Sequence, residues 1–155
     1  MKAKRKKKRS VLVIHGPNLN MLGQREPDVY GRKTLADIDS QLVERGRRLD
    51  IAVETFQSNH EGGIVDKIQA AGGHDGLIIN PASYTHTSVA IRDALLLLQI
   101  PIVEIHLSNI DKREPFRHKS LIADIVTARM AGFGALGYEL ALEAIARMLS
   151  EESQR

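Results

Sequence analysis

Two kinds of hydrophobic pattern alternate along this chain of 155 residues. Short runs rich in Val, Ile and Leu predict buried strands, and longer segments with apolar residues every three or four positions predict helices. The runs predict five strands, at 11–15, 51–57, 76–80, 102–107 and about 125–130. The longer segments predict helices at about 34–50, between His60 and Gly72, at about 86–99 and at about 136–149.

This alternation predicts an α/β domain with one parallel sheet and helices on both faces. For five strands the flavodoxin-like order 2-1-3-4-5 is the common arrangement, and its switch point lies between strands 1 and 3. The third strand, Gly-Leu-Ile-Ile-Asn at 76–80, is continuously apolar up to its last residue, as expected of a strand covered on both sides. Ligands of such sheets bind at the carboxyl ends of the strands beside the switch point.

Between 89 and 98 the helix predicted at 86–99 is apolar nearly all round, and only Arg92 and Asp93 interrupt this stretch. A helix of this kind is usually buried. In a small domain, burial on every side predicts a subunit interface in which the two charges find partners. A narrow solvent-exposed edge is an equally good interpretation of the same two residues.

The length is typical of one domain, and a hydrophobic content of 43% is ordinary for a globular protein. We expect a single flavodoxin-like domain at 11–150, a basic disordered tail at 1–10 and a short C-terminal tail at 151–155. The sequence has no apolar stretch near the ~20 residues that span a bilayer. The run at 11–14 is too short for a signal peptide. We therefore expect a cytoplasmic protein without membrane contact.

The formal net charge of +3 comes from the N-terminus, because seven basic residues stand among the first ten and the rest of the chain carries −4. The basic charge therefore belongs to a tail and not to the folded domain. A solvated tail is the preferred interpretation, and binding of nucleic acid or of a membrane surface through the tail is the alternative. The seven residues are Lys2, Lys4, Arg5, Lys6, Lys7, Lys8 and Arg9.

The absence of Cys excludes thiolate nucleophiles and thiolate metal sites. The six His do not show a His-Glu-x-x-His spacing, so no metal is predicted. Neither a G-x-G-x-x-G nor a G-x-x-x-x-G-K-[ST] motif occurs, which disfavours a nucleotide cofactor. Acid–base chemistry by side chains is the simplest remaining interpretation if the protein is an enzyme.

Polar residues collect at the predicted carboxyl ends of strands 1, 3 and 4. The connection at 15–31 is much longer than the usual 2 to 6 residues or so of a strand-to-helix loop, which indicates a functional loop. This loop contributes Arg25 and Tyr30, and the loop after strand 4 contributes Arg113 and Arg117, so the expected ligand is anionic or polyhydroxylated. The strand ends carry His15, Asn18, Asn80, His86, Glu104, His106 and Ser108.

Tyr30 and His106 are the candidates for proton transfer. A tyrosine normally ionises near pH ~10, so Tyr30 can act as a base at neutral pH only if a cation such as Arg25 favours its phenolate. Glu104 lies two positions before His106 on the same strand face and could fix its tautomer. Alternatively, Tyr30 merely packs in the loop and His106 is a hydrogen-bonded core residue.

Several long motifs resemble the type II 3-dehydroquinate dehydratases. The resemblance extends from about Val11 to Leu149, which is essentially the whole chain except the basic tail. The motifs occur in the family's order and are highly specific. They are Gly-Pro-Asn-Leu-Asn at 16–20, Leu-Gly-x-Arg-Glu-Pro-x-x-Tyr-Gly at 22–31, Asn-Pro-Ala-x-Tyr-Thr-His-Thr-Ser-Val-Ala-x-Arg-Asp at 80–93 and Glu-x-His-x-Ser-Asn at 104–109.

The resemblance implies the reversible trans elimination of water from 3-dehydroquinate, giving 3-dehydroshikimate through an enolate without metal or cofactor. Tyr30 would then remove the proton from the carbon next to the ketone, with Arg25 keeping it ionised. Asn18 would help to stabilise the enolate, and His106, oriented by Glu104, would protonate the departing hydroxyl. This is the third step of the shikimate pathway, and the sequence leaves open whether it serves aromatic amino acid biosynthesis or quinate catabolism.

The resemblance also implies the substrate-binding residues and the assembly. The substrate carboxylate would be held by Asn80, by the main chain at Leu107 and by Ser108. His86 and Arg117 would bind ring hydroxyls, and Arg113 would lie nearby. Asp93 would reach the active site of a neighbouring subunit in a homododecamer built from four trimers.

Two other hypotheses remain at the level of sequence. The first is a non-catalytic flavodoxin-like module that binds a small anion, in which Tyr30 and His106 would be dispensable. The second is a nucleic-acid-binding protein acting through residues 1–10, with steep salt dependence. Neither explains why Tyr, Arg, Asn and His side chains gather at strand ends.

Overall fold

A computed structural model describes residues 7–24 and 26–154, apart from the side chains of Val29 and Tyr30. Arg25 and residues 1–6 of the expected tail lie outside the described residues.

The strands are β1 (Arg9–His15), β2 (Ile51–Gln57), β3 (Gly76–Asn80), β4 (Ile102–His106) and β5 (Ala128–Ala131). The α-helices are α1 (Pro27–Tyr30), α2 (Leu35–Arg48), α3 (Glu61–Gln69), α4 (Val89–Leu95) and α5 (Leu136–Glu152). Short 3₁₀ turns lie at Leu19–Met21, Ala70–Gly73, Ala82–His86, Ile110–Lys112 and Pro115–Arg117.

The five strands form one parallel sheet in the order β2-β1-β3-β4-β5, which confirms the predicted flavodoxin-like topology. In the register of β1 and β3, His15 lies opposite Asn80, so two polar residues end neighbouring strands. Both strands are fully covered in this region, since the pattern of β3 is buried at every position. The switch point between β1 and β3 is therefore the place where polar groups gather.

Helices cover both faces of the sheet, and each face has its own hydrophobic core. Successive side chains of a strand point to opposite faces. Val11 and Val13 accordingly pack with α2 and α5, while Leu12 and Ile14 pack with α3 and α4. The central strands are thus buried on both sides, as parallel strands usually are.

Local signals fix where the helices begin. Thr34 and Asp37 form the capping box of α2: the Asp37 N–H donates to the Thr34 hydroxyl oxygen at 3.2 Å, and the Thr34 N–H donates to the Asp37 carboxylate at 3.0 Å. At the start of α4 the Ser88 hydroxyl oxygen accepts from the Ile91 N–H at 3.0 Å. These side chains satisfy N–H groups that the first helical turn leaves free.

Several element boundaries differ from the sequence expectation. Strand β1 begins at Arg9 instead of residue 11, because Arg9 and Ser10 pair with β2. Strand β5 covers Ala128–Ala131 instead of about 125–130, because Ile125 and Val126 pack against the core beneath α3 and α4. Helix α5 continues to Glu152, beyond the expected end at about 149.

The helix expected at 86–99 is shorter, because a 3₁₀ turn at Ala82–His86 precedes it and α4 covers only Val89–Leu95. Arg92 is paired within its own chain: it donates to the Leu121 carbonyl at 2.7 Å and to both Asp124 carboxylate oxygens. The expectation that both charges need partners from another subunit is therefore wrong for Arg92. Asp93 is exposed.

Gly16 follows β1 and lies against the main chain at the end of β3, where its N–H donates to the Asn80 carbonyl at 2.8 Å. A Cβ atom at this position would lie 2.5 Å from the Pro81 carbonyl oxygen and 2.6 Å from its carbon. Gly16→Ala should therefore lower the free energy of unfolding by about 2 kcal/mol, since overpacking against main chain forces the loops apart. Urea unfolding would measure the loss. Gly62→Ala in α3, where nothing lies within 4 Å of the new carbon, is the matched control and should not destabilise.

Candidate active site

A pocket of about 260 Å³ opens at the carboxyl ends of β1, β3 and β4, where the topology predicted a site. Its wall combines amides, imidazoles, hydroxyls and guanidinium groups with a few apolar side chains. Predicted site residues that line it are Asn18, Asn80, His86, His106, Leu107, Ser108, Arg113 and Arg117. Other lining residues, which the sequence reasoning did not single out, include Leu19, Leu22, Ala82 and Ile110.

The loops after the strands bring these side chains to the pocket by local backbone geometry. Asn18 follows β1 in a left-handed conformation, with φ 67°, which asparagine tolerates better than most residues. The Asn18 main-chain N–H donates to the Asn59 side-chain oxygen at 3.0 Å. The 3₁₀ turn after β3 ends at His86, and β4 itself ends at His106.

His106 is paired with Glu104, as the alternation along β4 predicted. The distance from His106 Nε2 to Glu104 Oε2 is 2.7 Å, and both residues are buried. Because a carboxylate only accepts hydrogen bonds, the proton of this bond belongs to Nε2. Glu104 does not line the pocket and contacts it through His106, so it is placed to orient the imidazole.

Glu104 accepts hydrogen bonds from four side chains. Besides His106 it accepts from the Thr85 hydroxyl at 2.8 Å, from Ser120 at 2.9 Å and from Arg129 Nε at 2.9 Å. Burial alone would raise the pKa of Glu104, but His106, Thr85 and the charge of Arg129 together lower it to about 2. The carboxylate therefore remains ionised at any physiological pH.

This lowered pKa predicts a pH dependence of stability. A carboxylate whose pKa is depressed by folding stabilises the protein above its unfolded pKa, and the stabilisation is lost as the pH falls toward the folded value. Between pH 5 and pH 2 the Glu104 contribution, about 3 kcal/mol, should disappear from the wild-type free energy of unfolding. Glu104→Gln should lack this part of the acid dependence in denaturant titrations. Equal acid dependence in both proteins would contradict the role of the charge.

His86 is the second imidazole of the pocket, and its ring lies 6.4 Å from that of His106 with an angle of 20° between the planes. Its Nδ1 is 2.8 Å from the Lys119 carbonyl oxygen. A carbonyl only accepts, so Nδ1 carries hydrogen and Nε2 of the neutral ring is an acceptor. Burial lowers the pKa of His86, and the nearby His106 and Arg117 lower it further. A neutral acceptor of this kind suits a ligand hydroxyl.

Two arginines make the rim of the pocket cationic. Arg113 Nη1 donates to the Ser108 hydroxyl oxygen at 3.3 Å, and Arg117 Nε donates to Glu114 at 2.6 Å. Both side chains are half-buried. The guanidinium groups and the Ser108 hydroxyl therefore favour an anionic or hydroxyl-rich ligand over a cationic one.

The structure does not bring every predicted site residue to the pocket. Asp93 is exposed on α4 and does not line it. Tyr30 ends α1 on the segment between β1 and α2, with its side chain outside the described atoms, and Arg25 is outside the described residues.

Among the described residues, no cluster of three or more His, Asp or Glu side chains has the arrangement of a metal site. In the same part of the chain, no helix has the length and hydrophobicity needed to cross a membrane.

Sequence reasoning missed the residues that support Glu104. Thr85, Ser120 and Arg129 are 16 to 25 positions away from it along the chain, and no local pattern links them. His15 was expected among the pocket imidazoles, but it is fully buried and points away, toward α2 and α5. The alternation Val11, Val13, His15 was the available signal, because it places His15 on that inner face.

The chain matches the family described as Dehydroquinase class II over residues 9–146. A 3-dehydroquinate dehydratase of Acaryochloris marina is 56% identical over 145 residues, covering 93% of this chain and 97% of the relative. A catabolic 3-dehydroquinase of Aspergillus oryzae is 52% identical over 139 residues, covering 89% of this chain and 91% of the relative. The crystal structure of type II dehydroquinase from Propionibacterium acnes superimposes with a TM-score of 0.87 at 44% identity, covering 90% of this chain and 97% of that one.

Proposed function

Because the chain belongs to the class II dehydroquinase family and catalyses the dehydration of 3-dehydroquinate to 3-dehydroshikimate, we propose that Tyr30 and His106 are the base and the acid of this reaction. The observation that carries the proposal is the buried pair of His106 and Glu104 at the wall of a pocket that also presents Asn18, Asn80 and Ser108.

Proton abstraction is the first step. Tyr30, as its phenolate, takes a proton from the carbon next to the ketone, and the electron pair of that C–H bond forms the enolate. Arg25 favours the phenolate by its positive charge. Asn18 stabilises the charge that develops on the enolate oxygen. Asn18 and Tyr30 belong to the same segment between β1 and α2, which supports their acting on the same end of the substrate.

Loss of the hydroxyl completes the elimination. The enolate re-forms the ketone, a carbon–carbon double bond forms, and the C–O bond to the hydroxyl breaks. His106, as imidazolium, donates the Nδ1 proton to the departing oxygen and releases water. Its Nε2–H remains bonded to Glu104, whose negative charge stabilises the protonated ring.

The remaining pocket residues bind the substrate and fix its orientation. Asn80, the main-chain N–H at Leu107 and Ser108 bind the carboxylate, and His86 and Arg117 bind ring hydroxyls, with Arg113 beside them. The cationic rim and the neutral acceptor on His86 support this division of roles. Binding at several points aligns the two bonds that break, and such alignment lowers the barrier of the reaction.

We further propose a cytoplasmic homododecamer of four trimers in which Asp93 reaches a neighbouring pocket. Its support is the apolar surface of α4 and the turn that follows it, where Val89, Leu96 and Leu97 are 58%, 57% and 67% exposed. Patches of this kind mark interaction sites. Light scattering should give the mass of twelve 17.2 kDa chains, and a monomeric mass would contradict the assembly.

Ultraviolet absorbance tests the proposed chemistry, because the product is a conjugated enone and the substrate is not. Purified protein is assayed with 3-dehydroquinate after treatment with a chelator, and separately after it has been incubated with 3-dehydroquinate and borohydride and both reagents have been removed. We expect full enone formation in both cases. Inactivation by borohydride would indicate a Lys Schiff base, and inactivation by the chelator would indicate a metal, so either result would overturn the mechanism.

A further inference from the structure

A chain of four polar side chains runs from the surface of α2 to the pocket, through the core between the sheet and α5. It consists of Asp39, His15, Tyr138 and Asn80. His15 and Tyr138 are fully buried, and Asn80 is 2% exposed. Only Asn80 lines the pocket. None of the other three has a part in the mechanism proposed above.

We propose that Tyr138, together with His15 and Asp39, is a positioning residue that fixes the amide of Asn80 so that it presents a hydrogen-bond donor to the substrate carboxylate. The inference rests on the proposed role of Asn80 in binding that carboxylate. Tyr138, His15 and Asp39 would then act on substrate binding through Asn80, without touching the substrate themselves.

The contacts are short and continuous. His15 Nε2 lies 2.8 Å from Asp39 Oδ1, and His15 Nδ1 lies 2.8 Å from the Tyr138 hydroxyl. Asn80 Nδ2 lies 3.2 Å from the same hydroxyl. Asp39 keeps 30% of its side chain exposed, so the far end of the chain is solvated.

The chemistry of the groups fixes the direction of these bonds. Asp39 only accepts, so His15 Nε2 carries the hydrogen, and Nδ1 of this tautomer accepts. Tyr138 must then donate to Nδ1. Burial raises the pKa of the Tyr138 hydroxyl, so it keeps its proton. Because the hydroxyl hydrogen of Tyr138 is already donated to His15, the hydroxyl oxygen can only accept a hydrogen bond from Asn80. The group of the Asn80 amide that faces Tyr138 is therefore the NH₂ and not the oxygen.

The other end of the amide is fixed as well. Asn80 Oδ1 accepts from the Ala82 N–H at 3.1 Å, and Ala82 is held in a left-handed conformation with φ 53°. The oxygen and one hydrogen of the amide are therefore occupied inside the protein. The second Nδ2 hydrogen remains for the pocket. A carboxylate needs donors, and an amide turned the other way would offer it an oxygen.

A double-mutant cycle of Tyr138→Phe and Asn80→Ala tests the inference. Losing a hydrogen bond to a charged group should make KM rise about 10- to 100-fold in Asn80→Ala. Tyr138→Phe keeps the ring and should raise KM about 10-fold with kcat within about 3-fold, since the interaction serves binding of substrate and transition state alike. In the Asn80→Ala background Tyr138→Phe should have no further effect on KM.

Ile145→Val is the matched control, because Ile145 packs in the same core on α5 and does not line the pocket. It should lower stability without changing KM. If Tyr138→Phe acts only through a loosened core, it will resemble this control, or its effect on KM will persist in the Asn80→Ala background, and either result overturns the inference.

Asp39→Ala provides a second variant on a partly exposed residue, in case Tyr138→Phe does not fold. It frees the His15 tautomer and should raise KM about 3- to 10-fold, again only when Asn80 is present. An unchanged KM overturns the inference. If Asn80→Ala itself leaves KM unchanged, the proposed role of Asn80 fails, and that outcome is distinct from a failure of the positioning residues.

Discussion

Replacing Tyr30 by phenylalanine should lower kcat by about 10³-fold while KM changes little. General base catalysis by a positioned side chain contributes ~10²- to 10⁴-fold, and phenylalanine keeps the ring but cannot accept a proton. Because the lost interaction exists only in the transition state, the loss should appear in kcat and not in KM. Steady-state enone formation at saturating 3-dehydroquinate measures the effect.

Tyr84→Phe is the matched control for this substitution. The Tyr84 hydroxyl donates to the Asn59 main-chain carbonyl at 2.8 Å, and the residue does not line the pocket. Its removal should change kcat by no more than a few-fold. A Tyr30→Phe enzyme as active as the Tyr84→Phe enzyme would remove Tyr30 from the mechanism and leave the base unassigned.

Replacing His106 by alanine should have an effect of similar size, because it removes the proton donor for the departing hydroxyl. We expect kcat to fall by about 10²- to 10⁴-fold. The variant also leaves Glu104 without one of its buried donors. Circular dichroism and urea unfolding should therefore accompany the kinetic measurement, so that a loss of fold is not mistaken for a loss of chemistry.

His74→Ala is the control for His106→Ala. His74 precedes β3 at the opposite end of the sheet, where its Nε2 lies 2.8 Å from Glu54. Its loss should leave kcat unchanged. If His106→Ala retains wild-type kcat in a folded protein, another group must protonate the hydroxyl, and the assignment of the acid would be wrong.

The fold could be predicted from the sequence because strand and helix signals alternate strongly. The run at 76–80, which is apolar up to Asn80, identified the central strand β3, and the Thr34 and Asp37 pair marked the start of α2. The strand order then followed from the general preference of five-stranded parallel sheets. Tertiary packing decided the boundaries that were missed, such as the pairing of Arg9 and Ser10 with the edge strand β2.

The outline of the site could also be predicted from the strand pattern, because Asn18, Asn80 and His106 lie at or just after the carboxyl ends of predicted strands. The pair of Glu104 and His106 is local and was visible as alternation along β4. The contact of His15 with Tyr138 joins positions 123 residues apart. Such contacts depend on which helix covers which face of the sheet, and a single sequence shows this only when the fold is already known.

The most direct test of the proposed mechanism is the fate of deuterium placed at one or the other position on the reacting carbon next to the ketone. We predict that the deuterium trans to the departing hydroxyl is released to water and that the cis deuterium remains in 3-dehydroshikimate. This result requires the base and the acid to act on opposite faces of the ring, as proposed for Tyr30 and His106. Release of the cis deuterium would contradict the mechanism.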